Sequence, residues 1–400
     1  MKLIEELRKR DLIFNATPNI EKFFEKKGTL YMGIDPTSNG LHLGNFLGLS
    51  LLKRFLLNGF KVIIILGGGT AKIGDPSGKI KERPILPLKT LEKNKKQIIE
   101  EIKNFLNFPA SKLKIIDNSL WLDKLSLMNF LRDVGKFISI NSMLDLEVVK
   151  NRIETREFMS FAEFSYQLLQ AYDFLVLYQK YKCELQIGGS DQWGNIIQGI
   201  ELIKKKLNKE AYGLVYPLLV DPKTGRKFGK TESGETLWLN LKKTHPFKIY
   251  QFIINTDDEM AKKMLFYFSF KTLDEIENLI KESERKKEER LIQKELAKEI
   301  ILTLHGDEVY KMTEQISHIL FEKKFEEINE REIKIIKPAL PFLKVNKNYN
   351  LDEILVSLGL SESKSEAKNL IKNKAIQIRE IKNYLLIKKG KKHFGLVEIN

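Results

Sequence analysis

The sequence predicts an α/β protein built around a parallel sheet. TLYMGID at 29–35 and KVIIILGGGT at 61–70 read as buried strands. The stretch from about Leu43 to Leu57 between them reads as an amphipathic helix. Polar, glycine-bearing clusters follow the strands rather than interrupting them. Strand, turn, helix and strand in that order open a parallel sheet.

Each later element extends the pattern. The turn after the first strand is Pro-Thr-Ser-Asn-Gly, a run that favours reversal of the chain. Residues 89–107 have the spacing of a charged helix, and KLKIID is another strand. Residues 124–182 look mainly helical; CELQIGG is a further strand, and QWGNIIQGIELIKKK a helix after it. The polar clusters therefore sit just past the carboxyl ends of strands, where open α/β sheets bind ligands. Beyond the glycine-rich loop at 225–234 the periodicity turns helical, from about 244 to 325. ESERKKEERLIQKELAKE within it reads as a solvated helix face. Residues 326–347 contain Pro338 and Pro341 and read as a linker, with a small module from about Asn348.

At 400 residues the chain is long enough for two or three domains. The apolar run Val62–Leu66 is far too short to span a bilayer, and the N-terminal residues have no apolar signal core. No membrane partner and a cytoplasmic location are expected. Cys183 is the only cysteine, which excludes an internal disulfide and a cysteine-rich zinc site. A formal net charge of +15 favours a polyanionic partner such as nucleic acid, although lysine-rich usage alone produces the same excess.

Three polar clusters carry the chemistry. HLGN at 42–45 opens a helix, where free backbone N–H groups favour anions; His42 can donate to a phosphate oxygen there, and Gly44 admits a flat ligand. GGSDQWGN at 188–195 follows a strand, and Asp191 can accept from ribose hydroxyls. Its bland alternative is a tight turn with Asp191 as a helix cap; Trp193 reads as core packing. KFGKT at 227–231 sets two lysines around a glycine, suited to one polyphosphate or to a solvated hairpin. GGGTAKIGDPSGK at 67–79 is not a P-loop: Gly74 and Gly78 enclose three residues rather than four, and Ile80 follows Lys79. Nor is it a dinucleotide fingerprint, since Lys72 takes the last glycine position. It still supplies two cations, Lys79 and Arg83.

YMGIDPTSNGLHLGN, GDPSGK, FLRDVGK, FSYQLLQAYDF, LQIGGSDQWGN and KFGKTESG together resemble bacterial-type tyrosyl-tRNA synthetases, collinearly over about residues 28–260 and more weakly to the C-terminus. HLGN corresponds to the HIGH signature of class I synthetases and KFGKT to KMSKS. The resemblance implies a Rossmann-like parallel-sheet catalytic domain over 1–224, with a dimer-interface segment at about 121–150. It further implies the mobile KFGKT loop and a helical tRNA-binding domain over 225–325, the linker, and a small α+β S4-like RNA-binding domain over 348–400. The implied activity is that of a tyrosine–tRNA ligase: ATP adenylates tyrosine, which passes to the 3′ end of tRNA(Tyr).

By resemblance, Tyr31 and Asp173 grip the substrate phenol hydroxyl. Asp75, Tyr166 and Gln170 surround its ammonium group, and Asp35 and Gln192 lie beside them. A buried carboxylate paired with a hydroxyl rejects phenylalanine, which would leave it unsatisfied; this family is itself a known instance of that discrimination. Thr37 and His42 contact the γ-phosphate, while Gly44, Gly189 and Asp191 hold adenosine. Lys79, Arg83, Lys227, Lys230 and Thr231 clamp the pyrophosphate. Asn45 stands where HIGH has its second histidine and still donates a hydrogen bond. Magnesium accompanies ATP as substrate, with no dedicated protein metal site.

LDEILVSLGLSESKSEAKNLIKNKAIQI resembles an S4-type module. Ser363 and Glu366 fit a capping box, and Lys364, Lys368 and Lys372 share one helix face suited to an RNA backbone or simply to solvent. Two other readings stand beside the ligase: the tryptophan-specific relative, disfavoured by Tyr31 with Asp173, and a non-catalytic RNA-binding protein, disfavoured by His42, Lys227 and Lys230.

Overall fold

A computed structural model describes residues 1–77, 85–220, 229, 234–346 and 349–400. Lys79, Arg83, Lys227, Lys230 and Thr231 lie outside the described residues. Two compact units result: Met1–Asn240 with Lys262–Ile276, and Leu241–Ala261 with Glu277–Asn400.

The first unit is organised by a sheet of strands β1 (Asn15–Ala16), β2 (Thr29–Ile34), β3 (Lys61–Leu66), β4 (Leu113–Asp117), β5 (Cys183–Gly189) and β6 (Tyr212–Tyr216). Their order is β1-β6-β5-β2-β3-β4. All neighbours pair in parallel except β1 with β6. β3 is buried from Val62 to Leu66, the continuous apolar run that a sheet covered on both faces requires. From β2 the chain proceeds outward through β3 and β4, then returns to place β5 on the other side of β2. The strand order reverses between β2 and β5, which leaves a crevice past their carboxyl ends.

Helices α1 (Leu43–Leu57), α2 (Leu88–Leu106), α3 (Phe161–Tyr181) and α4 (Trp193–Leu207) accompany this sheet. The amphipathic reading of α1 needs correction: its buried residues include Leu43, Phe46, Leu49, Leu52, Arg54 and Phe55, which point to several sides. Arg54 is tolerated there because Glu6 and the backbone oxygen of Ser269 accept from its guanidinium. Arg10, 2% exposed, binds the same Glu6 and donates to the carbonyls of Phe266 and Ser269. These two arginines fasten residues 262–276 to the first unit.

Ser160 caps α3, its hydroxyl accepting from the Glu163 amide at 3.1 Å. The Glu163 side chain, 2% exposed, pairs with Arg152, 3% exposed, at 2.8 Å. Arg152 also donates to the Phe158 carbonyl at 2.6 Å, which fixes the approach to α3.

The second unit holds helices α5 (Pro246–Ile254), α6 (Leu291–His305) and α7 (Asp307–Phe321). The charge run at 282–299, expected as one solvated helix face, is broken: the helix Leu273–Arg285 ends within it, α6 starts only at Leu291, and Ile292, Gln293, Leu296 and Ala297 are buried. Residues 326–347, expected as a linker, instead carry helix α8 (Glu330–Ile336) and strand β7 (Phe342–Val345). β7 joins β8 (Ile376–Ile381), β9 (Tyr384–Lys389) and β10 (His393–Ile399) in the order β7-β10-β9-β8. Apolar contacts drive this: Ile333 and Ile336 of α8 share one core with Phe247, Ile316 and Leu320, and with Leu386, Phe394 and Leu396 of the sheet. A second core joins helices α9 (Leu351–Ser357) and α10 (Lys364–Lys372) to the sheet's other residues, Leu385, Ile387 and Val397.

The capping box of α10 is half formed. Ser363 Oγ accepts from the Glu366 amide at 3.2 Å, but the Glu366 carboxylate takes the Glu362 amide at 2.8 Å rather than that of Ser363. The Ser363 amide donates to Ser361 Oγ instead. Lys364 pairs with Glu353 at 2.8 Å and Lys368 approaches Asp352 at 3.9 Å, so part of the cationic stripe is neutralised by α9.

Candidate active site

The crevice past β2 and β5 is a cavity of about 1040 Å³. Its depth is set by Tyr31 of β2, which pairs in register with Ile63 on one side and Gln186 on the other. Tyr31 is 1% exposed, and its hydroxyl has no hydrogen-bond partner among the described residues. Burial, then the Asp173 charge, raises its pKa well above the ordinary tyrosine value. Asp173 comes from α3 and is 4% exposed. Trp121 Nε1 donates to its Oδ1 at 2.7 Å and Asn118 Nδ2 to its Oδ2 at 2.9 Å. Burial dominates and pushes Asp173 up to about 7, against the pull of those two donors.

A second polar layer surrounds this floor. Tyr166 Oη donates to Asp35 Oδ2 at 3.0 Å, and Thr70 Oγ1 to Asp35 Oδ1 at 2.9 Å. Burial and then the charges of Asp35 and Asp75 hold Tyr166 well above its usual pKa. Gln192 Nε2 donates to Asp75 Oδ2 at 2.8 Å, and Gln192 Oε1 accepts from Gln170 Nε2 at 3.2 Å. The three carboxylates Asp35, Asp75 and Asp173 all line the cavity, a negative field suited to an ammonium group. Gly67 makes the crowding possible: a Cβ there would overlap the Asp35 carboxylate.

The mouth is built from α1. His42 occupies its N-cap with extended backbone, φ −113° and ψ 169°. The Asn45 side-chain oxygen accepts from the His42 amide at 3.0 Å, so the residue at the second histidine position braces the helix start. Thr37, His42, Gly44 and Asn45 line the cavity. Across it, Gly189 ends β5 and Asp191 follows it, and the N-cap of α4 is Gln192 rather than Asp191. Trp193 is half-buried, not a core residue. Residues 41–43 also form an antiparallel bridge with 237–239: the Leu43 amide donates to Leu237 O and the Leu239 amide to Leu41 O, each at 2.8 Å. Gly229, of the KFGKT motif, has φ 104°, and a Cβ on it would stand 2.8 Å from the Gly44 nitrogen.

The cavity therefore gathers Tyr31, Asp35, Asp75, Tyr166, Gln170, Asp173 and Gln192, together with the expected nucleotide residues that are described. The sequence reading missed Asn118, Trp121, Thr70 and Gln186. Gln186 is 3% exposed, lines the cavity, and its side-chain oxygen has no partner among the described residues. The signal in the sequence was a polar residue inside the apolar strand CELQIGG; the register that sets it beside Tyr31 is not local to either strand. Among the described residues, no group of three or more His, Cys, Asp or Glu is arranged to hold a metal. No described helix is long and apolar enough to cross a membrane.

A doubly covered parallel sheet with a helix N-terminus and acidic, amide-rich walls at its switch point defines a nucleotide-handling α/β enzyme. The family profile of tRNA synthetases class I (W and Y) matches residues 24–322. The tyrosine–tRNA ligase of Roseiflexus castenholzii is 38% identical over 99% of both chains. That of Buchnera aphidicola is 42% identical over 100% of both. Among solved structures, a C-terminally truncated mitochondrial tyrosyl-tRNA synthetase of Aspergillus nidulans superposes with a TM-score of 0.72 at 29% identity, covering 80% of this chain and 94% of that one. A tryptophanyl-tRNA synthetase of Encephalitozoon cuniculi shares the fold, with a TM-score of 0.57 at 14% identity over 82% and 89% of the chains. The chain belongs to the class I tRNA synthetases of the tryptophan and tyrosine family.

Proposed function

We infer that this chain is a tyrosine–tRNA ligase: it activates L-tyrosine with ATP to tyrosyl-adenylate and pyrophosphate, then transfers tyrosine to the 3′ end of tRNA(Tyr). One observation carries the choice of amino acid. The floor of the cavity presents a carboxylate, Asp173, and an unpartnered buried hydroxyl, Tyr31, and a phenol O–H completes both. An indole has no hydroxyl to offer them.

The roles proposed for the site residues come from the family resemblance, and the placement of the described ones in the cavity supports them. Asp173 accepts the phenol proton while Tyr31 donates to the same oxygen. Asp75, Tyr166 and Gln170 receive the ammonium group, with Asp35 and Gln192 holding Tyr166 and Asp75 in place. The tyrosine carboxylate then lies towards the mouth and attacks the α-phosphate; the leaving group is pyrophosphate, so no protein nucleophile is needed. Thr37, His42 and Asn45 at the start of α1 stabilise the phosphates, and Gly44, Gly189 and Asp191 hold adenosine. Lys79, Arg83, Lys227, Lys230 and Thr231 take the pyrophosphate. Magnesium arrives with ATP. Positioning and charge stabilisation carry the step.

The helical and S4-like parts, with Lys364, Lys368 and Lys372, bind the tRNA. The protein works as a cytoplasmic homodimer. Exposed Leu127, Met128 and Ile140, at 70%, 73% and 67%, support the interface at 121–150. A monomeric mass by light scattering counts against it. The deciding experiment is ATP–pyrophosphate exchange with each common amino acid. Exchange with tyrosine and none with tryptophan is expected; binding of tRNA without any adenylate formation overturns the enzymatic reading.

A further inference from the structure

Helix α2 carries a polar stripe within its buried face. Asn94, Gln97 and Glu101 lie at i, i+3 and i+7, along one side of the helix. Asn94, 2% exposed, donates from Nδ2 to the Pro36 carbonyl at 2.9 Å. Glu101 Oε2 accepts from the Leu41 amide at 2.6 Å. The two contacts hold both ends of the loop that contains Thr37 and leads into His42.

The other oxygen of Glu101 reaches a different part of the chain. Oε1 accepts from Asn240 Nδ2 at 3.0 Å and from Gln97 Nε2 at 2.9 Å. Asn240 follows directly on residues 237–239, which bridge to 41–43. The Leu237 amide donates in turn to the Gly229 carbonyl, inside KFGKT, at 2.9 Å. One carboxylate thus ties the start of HLGN to the chain leaving KFGKT, from a helix that belongs to neither.

We propose that Glu101 is a positioning residue for adenylate formation, holding the start of HLGN in register with residues 237–240 and, through Leu237, with Gly229. The assignment rests on reading HLGN and KFGKT as the groups that contact ATP. Hydrogen bonds to an ionised carboxylate are the strong kind, and Glu101 makes them to a backbone amide and to a side chain from separate segments. Without it the backbone bridge at 41–43 remains, but its end is released. The residues assigned to tyrosine come from β2, the segment after β3, α3 and the β5–α4 turn, and Glu101 hydrogen-bonds to none of them that is described. Its loss therefore affects the ATP half of the site alone.

The test compares Glu101→Ala, Glu101→Gln and Asn240→Ala with the unaltered full-length chain. Tyrosine-dependent pyrophosphate exchange is measured against ATP concentration, and tyrosine binding by equilibrium dialysis without ATP. Glu101→Ala is expected to lower kcat for exchange by about tenfold to a hundredfold, the scale of a small misplacement of reacting groups. Its tyrosine affinity stays within about twofold of the unaltered chain, well under the ~1.4 kcal/mol that separates tenfold steps. Glu101→Gln keeps one acceptor oxygen and recovers much of the rate. Asn240→Ala lowers the rate less, and adds little to Glu101→Ala because the two act together. Unchanged kcat in Glu101→Ala overturns the assignment, as does equal loss of tyrosine binding and exchange in the folded Glu101→Gln protein. Absence of tyrosine-dependent exchange in the unaltered chain overturns the functional reading, and this assignment with it.

Discussion

Trp121 Nε1 donates to Asp173 Oδ1 across 2.7 Å, from the short helix Ser119–Leu122, where the expected dimer segment begins. The indole is 9% exposed and Asp173 4%, so this hydrogen bond is made out of water. It holds the carboxylate in one orientation and stabilises its charged form. Replacing Trp121 by Phe removes the donor and keeps most of the volume. The loss is expected to cost about 1.5–3 kcal/mol in tyrosine binding, the range for a hydrogen bond to a charged group. Tyrosine KM should rise by at least tenfold in pyrophosphate exchange while KM for ATP holds.

Protonation of Asp173 gives a pH signature. Burial raises it to about 7, from an ordinary value of 3.8. A phenol donor is best accepted by the ionised form, so tyrosine affinity should weaken as pH falls below about 7, approaching tenfold per pH unit. Stability moves the other way. A carboxyl raised in the folded state contributes stability that is present below pH 3.8 and is lost as pH rises through about 7. Titrating tyrosine binding between pH 5.5 and 8.5, about one and a half units either side of the midpoint, reads the first effect. Trp121→Phe should move that midpoint upward.

Asp173→Ala separates the two halves of the cavity. Tyrosine recognition should fall far more than ATP binding, because Asp173 is bonded to Asn118 and Trp121 and to none of the described residues proposed to contact ATP. Discrimination against phenylalanine should fall with it, since the group left unsatisfied by phenylalanine is gone. Competition by phenylalanine in the exchange assay measures this; equal loss of tyrosine and ATP binding contradicts the assignment.

The Arg152–Glu163 pair is a stability element rather than a catalytic one. Both side chains are nearly inaccessible, and Arg152 also fixes the Phe158 carbonyl. Glu163→Ala leaves a buried guanidinium with its main counter-charge missing, which typically costs about 3–5 kcal/mol. Urea denaturation should show the first unit shifted to lower midpoint.

Removing residues 348–400 should not behave as the loss of an independent module. Leu386, Phe394 and Leu396 share a core with Phe247, Ile316 and Leu320, so deletion bares the helices' apolar faces. Lower melting temperature and aggregation of the second unit are expected, along with loss of tRNA charging. Tyrosine-dependent pyrophosphate exchange should persist at low temperature, because the cavity is lined by the first unit.

The strands, the helices after them and the clusters at their carboxyl ends were legible because each is a local pattern. His42, Asp191 and Tyr31 could be placed from flanking residues alone. Trp121 and Asn118 could not. They lie 52 and 55 residues from the carboxylate they serve, and nothing in their own neighbourhood marks a partner. The apparent linker failed for a related reason: Pro338 and Pro341 read locally as breaks, but β10 supplies β7 with a partner some fifty residues later. Helix α1 looked one-sided because Arg54, Ser50 and the glycines count as polar in a periodicity. The acceptors that make Arg54 buriable come from Glu6 and Ser269.

Asp35 fills the space that a Cβ on Gly67 would need, and Thr70 crowds the same spot. Among the variants a single nucleotide change can produce, none at this codon carries a smaller side chain. A lineage can drift at Leu41 or Ile98, which line the same cavity, by exchanging one aliphatic shape for another. At position 67 it has nowhere adjacent to go unless Asp35 moves first, and Asp35 is held by Tyr166. The two sites are therefore expected to change together or stay fixed, a mark to seek in natural variation rather than in rates.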